Sequence, residues 1–414
     1  MRRDSESKAV LTGVRPPRRY DIDWLRITAV LLLIPYHTSR VFNAGEDFYS
    51  KNRPVSTAIN RFVGFLGPWH MSLLFFLAGA SSWFALGFRS GGRYAGERAR
   101  RLLVPFVFGL VVLIPPQSYM GMLTNSQRHL SFFGQYKYYW THAAEGLTGY
   151  DGTWTPGHLW FILFLVLFSL LALPLFLWLR RGSARGLIDR FAAACRFPGV
   201  VILPALVLAL LKDVDFLEVS GQNLICFFLL FVFGFLMVAD ERITAAIGRQ
   251  WPALLTLGVA AMAVRVYLHP WDADGAHASW LLSFWERWVY EFAVWLMILG
   301  LLGLFHRYAN RTNRAYAYAT ESAYPFYVLH QTVLVLIAYE VVRWGVGASL
   351  KYTVIALATL AATLLVYEVA VRRWSPVRLL FGMKPRRARP QPGPAAPAAE
   401  PAVLPVDPAA SSPD

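Results

Sequence analysis

Residues 20–43, YDIDWLRITAVLLLIPYHTSRVFN, contain an apolar run of membrane length, Trp24–Phe42, and Arg26 and His37 lie inside it. Ionisable groups are costly inside a bilayer, so each of the two is a candidate functional residue. Their spacing of eleven residues is about three turns of a helix, which places both on one face and about 16 Å apart along the axis. We therefore expect one helix with a cation near one membrane border and an imidazole beyond the midplane, an arrangement suited to chemistry across a membrane.

The composition predicts a polytopic membrane protein with an all-α fold, a bundle of transmembrane helices. Of the 414 residues, 56% are hydrophobic and only 16% are charged, whereas a soluble domain carries about 25% charged residues. The net charge of +15 comes from basic residues in short loops between apolar runs, which indicates membrane orientation and not nucleic-acid binding. Cys195 and Cys226 show neither metal-binding nor redox spacing.

Ten apolar runs are long enough, or nearly long enough, to cross a bilayer. They lie at 23–42, 66–88, 102–120, 158–179, 199–212, 222–239, 251–268, 287–305, 323–342 and 350–371. With the N-terminus inside, 28 of the 40 Lys and Arg residues fall in inner segments, 9 in outer loops and 3 within spans. This bias predicts that both termini are cytoplasmic.

Three parts follow along the chain: a basic cytoplasmic N-terminus at 1–20, a transmembrane domain at 21–380 and a Pro/Ala-rich cytoplasmic tail at 381–414 that we expect to be disordered. The first apolar run is long and lacks a convincing cleavage site, so we expect it to be retained. The longest loop, Gly121–Gly157, is rich in Tyr and Trp and lies outside in this topology. Long ordered loops usually carry function.

His37 is the hardest of the ionisable residues to explain as structural, because it lies deep in an otherwise apolar run. Imidazole titrates near neutral pH, so it could act as a general base or accept an acyl group itself. For Arg26 the alternative is a structural role, either reaching the inner headgroups or pairing with Asp23 three residues earlier.

Other candidates have structural alternatives of similar weight. His70 and His158 open spans from the outer side, where an imidazole can simply face headgroups. His330, in the inner half of the ninth span, could be a buried histidine bonded to a backbone carbonyl. Basic residues before the third span, Arg100 and Arg101 among them, are most often orientation signals. No metal site is predicted, since a zinc site from His37, His70 and His158 lacks any local ligand spacing.

Five segments in order resemble landmarks of a known family. They are Asp23-Trp24-Leu25-Arg26 followed by His37, Phe75–Gly79 with Ala78 in place of a more common serine, RARRLLVP at Arg98–Pro105, HLWFI at His158–Ile162 and YPFYVLH at Tyr324–His330. The family is acyltransferase 3, membrane acyltransferases that include sugar O-acetylases and a glucan succinylation protein of Gram-negative bacteria. The resemblance covers about residues 19–380, and the DIDWLR and WHMSLLFFLAG forms look closest to the glucan-modifying branch.

The resemblance implies transfer of an acyl group from a cytosolic acyl-CoA co-substrate to a hydroxyl of an extracytoplasmic carbohydrate or glycan, in a bacterial inner membrane. No tightly bound cofactor and no nucleic-acid partner are expected; membrane lipids surround the chain. His37 would be the base or acyl carrier, and Arg26 would bind the donor or organise the site. The expected substrate-binding residues are Asp23, His70, His158, Trp160, His330, Arg100 and Arg101.

Two other classes of function stay open on the sequence alone. One is a transporter, proton-coupled if Arg26, His37, Glu291 and His330 line a pathway, although no internal repeats are visible. The other is a non-enzymatic membrane assembly or sensor protein that presents the long outer loop. Within the acyltransferase interpretation, acetyl and succinyl groups both remain open.

Overall fold

The computed structural model describes residues 18–45, 47–144, 148–212, 218–219, 222–268 and 280–385. Most of the predicted basic N-terminus, residues 1–17, and the predicted disordered tail from residue 386 lie outside the described residues.

The described chain is helical, as predicted. The helices are α1 Tyr20–Leu31, α2 Leu33–Phe42, α3 Thr57–Leu86, α4 Gly91–Phe108, α5 Ile114–Asn125, α6 Phe132–Thr141, α7 Trp160–Leu171, α8 Leu173–Leu179, α9 Gly182–Ala194, α10 Pro204–Leu211, α11 Leu224–Met237, α12 Glu241–Leu268, α13 Trp280–Tyr308, α14 Arg314–Val341, α15 Ala348–Val366 and α16 Ser375–Leu380. Five-residue π-helical turns follow α4 and α15, and a 3-10 turn, Gly157–Leu159, precedes α7. Two short strands, β1 Glu218–Val219 and β2 Gln222–Asn223, pair antiparallel.

Four helices are long and apolar enough to cross a membrane by themselves: Thr57–Leu86, Gly91–Asn125, Arg287–Tyr308 and Ala348–Val371. Two further pairs of helices pass the same criterion together but are bent, by 47° between α7 and α8 and by 105° between α11 and α12. The described residues therefore hold four to six candidate spans, which supports a polytopic helical membrane protein. The count of ten spans and the cytoplasmic termini stay predictions.

The first apolar run is not the single helix expected from the sequence. It consists of α1 and α2, with a break at Leu32. Pro35 has no N–H to donate to the carbonyl of Leu31, so the helical hydrogen-bond ladder loses one rung there. Leu32 still keeps helical dihedral angles, and its N–H donates to the carbonyl of Thr28 at 3.0 Å. The path of the chain continues, but Arg26 and His37 belong to different helices.

Close packing of α3 against α11 forms the centre of the bundle. A Cβ atom on Gly79 would lie 1.8 Å from the carbonyl oxygen of Phe231, and one on Gly234 would lie 1.9 Å from that of Phe76. Only glycine fits at such a distance, and small residues at helix interfaces are how membrane helices approach closely. The packing explains the glycine in the landmark Phe75–Gly79 and holds α3 beside the first two helices.

The long loop predicted to lie outside, Gly121–Gly157, packs on the bundle. It contains α6, whose Gln135 donates to the hydroxyl of Ser118 at 2.9 Å and whose Tyr139 donates to the carbonyl of Thr155 at 2.9 Å. Ser118 itself donates to the carbonyl of Gly152 at 2.7 Å. These buried hydrogen bonds connect α5, α6 and the segment before α7, so the loop is an ordered cover on one end of the bundle.

Candidate active site

A cavity of about 430 Å³ lies beneath the outer loop. It contains His37, His158 and Trp160, three of the residues predicted from sequence. Its other polar and aromatic side chains include Tyr36, Arg40, Asn43, Phe48, Tyr49, Asn60, Tyr150, Lys212, Asn223, Phe227, Arg265, Tyr290, Glu291, Tyr327 and Gln331. We call it the outer cavity. Because tyrosine and tryptophan rings combine an apolar face with a polar edge, the lining suits a polyhydroxylated ligand.

His37 presents its ring to the outer cavity from α2. The ring stacks on Phe48 with centroids 6.1 Å apart and meets Tyr36 edge-on at 5.1 Å. Its Nδ1 is buried without a hydrogen-bond partner, and the ring makes no hydrogen bond with any described residue. Nε2 is therefore the nitrogen that remains available to a molecule in the cavity, as a general base or nucleophile requires.

His37, His330 and His158 form a chain of rings. The centroids of His37 and His330 are 5.2 Å apart, and those of His330 and His158 are 5.1 Å apart. Nδ1 of His330 donates to the carbonyl of Tyr327 at 2.6 Å, and Nε2 of His158 donates to the carbonyl of Val328 at 3.0 Å. These bonds fix both tautomers and leave Nε2 of His330 and Nδ1 of His158 as buried acceptors without a partner.

His70 lies on neither cavity described in this section. Its side chain is 1% exposed, and Nε2 donates to the carbonyl of Ala29 at 2.6 Å, which ties α3 to α1. The predicted substrate-binding role of His70 stays a prediction. Among the residues that the structure describes, no group of three His, Cys, Asp or Glu side chains is placed to hold a metal ion.

A second cavity, of about 330 Å³, lies beside Arg26; we call it the inner cavity. Its charged lining consists of Arg26, Arg89, Arg98, Arg101 and Glu97. Glu97 is already paired with Arg89 at 3.1 Å. The excess of guanidinium groups suits phosphate, which they bind through charge-assisted and bidentate hydrogen bonds.

Arg26 is held in place on two sides. Nη1 lies 3.0 Å from Oδ1 of Asp23, and Nη2 donates to the hydroxyl of Ser81 at 2.5 Å. Asp23 also accepts from Arg18 at 2.9 Å and from the Tyr316 hydroxyl. The ion pair that the sequence offered as the structural alternative is thus present, and Arg26 also lines the inner cavity. Asp23 orients Arg26 and is not part of the lining of either cavity.

The two neighbouring arginines, both predicted to bind substrate, differ in placement. Arg101 lines the inner cavity and its Nε donates to the carbonyl of Gly382 at 3.1 Å. Arg100 is exposed and lines neither cavity. Arg98 lines the inner cavity as well, with its guanidinium 5.4 Å from the centre of the Tyr94 ring.

Tyr327, a residue that the sequence analysis did not single out, lines both cavities, and no other described residue does so. It is 3% exposed, and its hydroxyl donates to the carbonyl of His158. Its ring packs against Phe161 with centroids 5.6 Å apart and against His330 at 5.8 Å. Tyr327 lies within the landmark YPFYVLH, three residues before His330, so that motif was the available signal.

Comparison with known proteins shows the family of the chain. The profile of the acyltransferase 3 family, described as an acyltransferase domain, matches residues 19–368. Glucans biosynthesis protein C of Salmonella paratyphi B and of Salmonella heidelberg are each 25% identical over 175 residues, 41% of this chain and 42% of the relative. The matched region thus spans less than half the length of these curated relatives. No solved structure matches significantly.

Proposed function

We propose, from the premise that this chain belongs to the acyltransferase 3 family, that it moves an acyl group from cytosolic acyl-CoA to a hydroxyl of an extracytoplasmic glycan. That it is a multi-pass membrane acyltransferase follows from the family and the apolar helices. The observation that supports the finer proposal is the pair of cavities that meet at Tyr327, one basic and one containing His37. The proposed location is a bacterial inner membrane, which the Salmonella relatives support.

The donor would bind in the inner cavity. The phosphates of coenzyme A carry several negative charges, and Arg98 and Arg101 have no carboxylate partner among the described residues. Arg26, oriented by Asp23 and Ser81, would add a third guanidinium. The hydroxyl of Tyr324, in the same lining, is buried without a partner, and an unsatisfied buried hydroxyl favours a polar ligand.

The acceptor would enter the outer cavity from beneath the folded loop. Tyr150 and Trp160 offer aromatic faces for sugar rings, while Asn43 and Asn60 offer amides. A glucan is the natural first acceptor to test, because the relatives carry glucans biosynthesis in their name.

The transfer step is the following. Nε2 of His37 takes the proton of the acceptor hydroxyl while the hydroxyl oxygen attacks the thioester carbonyl. The ester bond forms, the C–S bond breaks, and the proton passes from His37 to the departing thiolate. Alternatively Nε2 attacks the thioester first, and the C–S bond breaks to release the thiolate. The acceptor hydroxyl then attacks the acyl group on Nε2, the N–C bond breaks, and the proton of the hydroxyl passes to the released thiolate. In either route a positive charge develops on the His37 ring, and the neighbouring rings of His330 and His158, when neutral, add no charge that would oppose it.

Tyr327 lines both cavities, so its ring would separate a thioester in the inner cavity from a hydroxyl in the outer cavity. The donor arm must therefore displace the Tyr327 ring to reach His37, which lies on the other cavity. Such a gate would admit the acyl chain and keep water in the outer cavity away from the thioester between turnovers.

The test uses inside-out membrane vesicles that contain the full chain, acyl-CoA outside and a neutral glucan inside. Mass spectrometry of the glucan is expected to show added acyl mass, and His37→Ala is expected to lower its rate about a hundredfold or more. His129→Ala is the matched control, because His129 is exposed and lines neither cavity.

Full activity of His37→Ala would refute the assignment of His37. Movement of a solute without acyl transfer would favour the transporter instead, and an unchanged cellular phenotype with both Arg26 and His37 replaced would favour the assembly or sensor protein.

A further inference from the structure

A charged cluster lines the outer cavity on helices that do not carry the histidines. Lys212 follows α10, Arg265 lies in α12, and Tyr290 and Glu291 lie in α13. Glu291 is 2% exposed, and the Lys212 ammonium lies 3.4 Å from its carboxylate. Both cations also lie over one ring, Lys212 at 4.6 Å and Arg265 at 4.9 Å from the centre of Tyr290.

Arg265 is the unbalanced member of this cluster. Glu291 is paired with Lys212, and Arg265 forms no ion pair with any carboxylate in the part of the chain that the structure describes. Its Nε is buried without a hydrogen-bond partner, and its one hydrogen bond, from Nη1 to the carbonyl of Gly64, is long at 3.5 Å. A partly buried guanidinium with an unused donor is costly, since buried charges are normally paired.

Contacts to neighbouring helices hold the cluster in place, and it lines the same cavity as His37. Asn223 donates to the backbone carbonyl of Lys212 at 2.8 Å and caps the start of α11 through Cys226 at 3.0 Å, so Lys212 is anchored against the cavity. Gly64, whose carbonyl accepts the hydrogen bond from Arg265, is about one turn of α3 from Gly67. A Cβ on Gly67 would lie 3.4 Å from the ring of Tyr36, the neighbour of His37.

We propose that Arg265, with Lys212 beside it, is a subsite for an anionic group of the substrate that reacts at His37. Two cations face one carboxylate, so the cluster keeps a net positive charge inside a cavity whose lining also contains Arg40, aromatic rings and amides. The unused Nε–H of Arg265 completes the fork that recognises a carboxylate or phosphate. The anion belongs either to a dicarboxylic acyl chain or to a charged substituent of the glycan, and this inference rests on the proposed function.

The test compares donors and acceptors with and without an anionic group. Succinyl-CoA and acetyl-CoA are each supplied with a neutral glucan, and acetyl-CoA is supplied with the same glucan bearing phosphoglycerol groups. Arg265→Gln is expected to lower kcat/KM for the substrate that carries the anion about ten- to a hundredfold, mainly through KM, while the neutral pair changes less than about twofold. Arg265→Lys is expected to restore part of the loss, since it keeps the charge without the fork.

The pattern identifies the source of the anion. A loss confined to succinyl-CoA places it on the acyl chain, and a loss confined to the charged glucan places it on the acceptor. An equal effect on charged and neutral substrates, or no effect on any of them, would overturn the subsite. Arg249→Gln is the matched control, because Arg249 lies on the same helix but is exposed and lines neither cavity.

A binding measurement separates this inference from the reaction itself. The thermal midpoint of purified full-length protein is measured in sodium succinate and in sodium chloride of equal ionic strength. Succinate is expected to raise the midpoint of the wild type and of Arg249→Gln by binding the folded state, and to leave that of Arg265→Gln unchanged. If the wild type transfers no acyl group but keeps this shift, the proposed function fails and the anion site stands; without the shift the anion site fails.

Discussion

Replacing Tyr327 tests whether its ring, which lines both cavities, controls the reaction. Tyr327→Ala would join the outer cavity of about 430 Å³ to the inner cavity of about 330 Å³ through the space that the ring now fills. The ring is almost fully buried and packs against Phe161 and His330. We therefore expect Tyr327→Ala to cost about 3–5 kcal/mol of folding free energy, as for other buried aromatic residues.

Tyr327→Phe is the matched variant, because it keeps the ring and removes only the hydrogen bond to the carbonyl of His158. Its expected cost is about 1 kcal/mol, the net contribution of one buried hydrogen bond. The wall remains in this variant, so acyl transfer is expected to stay coupled to the acceptor. In Tyr327→Ala, water and thioester would meet without an acceptor in place, and hydrolysis of the donor would rise relative to transfer.

The assay measures two products in the same vesicles, free thiol released from acyl-CoA and acyl ester on the glucan. In the wild type and in Tyr327→Phe the two are expected in equal amounts. In Tyr327→Ala thiol should exceed ester severalfold, at a temperature where the thermal midpoint shows that the variant is folded. Equal amounts of thiol and ester from folded Tyr327→Ala would refute the idea that this ring separates the cavities.

Two further predictions follow from the same geometry. Arg26→Gln is expected to raise KM for acyl-CoA about ten- to a hundredfold, because it removes a charge-assisted contact to the donor phosphates. The KM is measured by steady-state kinetics in vesicles, with Arg190→Gln, at an exposed position, as the control. An unchanged KM would contradict the donor site. Gly79→Ala should lower the free energy of unfolding by about 3 kcal/mol and the thermal midpoint with it. The reason is that its Cβ would lie 1.8 Å from the backbone oxygen of Phe231. Gly92→Ala, which meets nothing within 4 Å, should be neutral or slightly stabilising, and similar midpoints for the two alanine variants would argue against the close packing of α3 and α11.

Part of the candidate site was predictable from the sequence. Arg26 and His37 stand out because a charged and a titratable group interrupt an apolar run, and the cost of burying such groups is a local property of the residues. His158, Trp160 and Arg101 were proposed from landmarks and do line the cavities. For His330, the structural alternative of a bond to a backbone carbonyl is realised, and the ring nevertheless lies next to His37.

Hydropathy and charge along the sequence were by themselves sufficient to determine a helical, multi-pass membrane protein, because the length and polarity of each segment decide whether it can leave water. Only the tertiary structure decided that Arg26 and His37 line different cavities and that Tyr327, from a helix distant in sequence, lies between them. It also decided that Lys212, Arg265 and Glu291 meet from three separate segments of the chain. The physical reason is that a cavity is bounded by residues far apart in the chain, and their meeting depends on helix packing, such as the approach of Gly79 to Phe231. The hydrophobic periodicity of a single helix does not show which other helices it packs against.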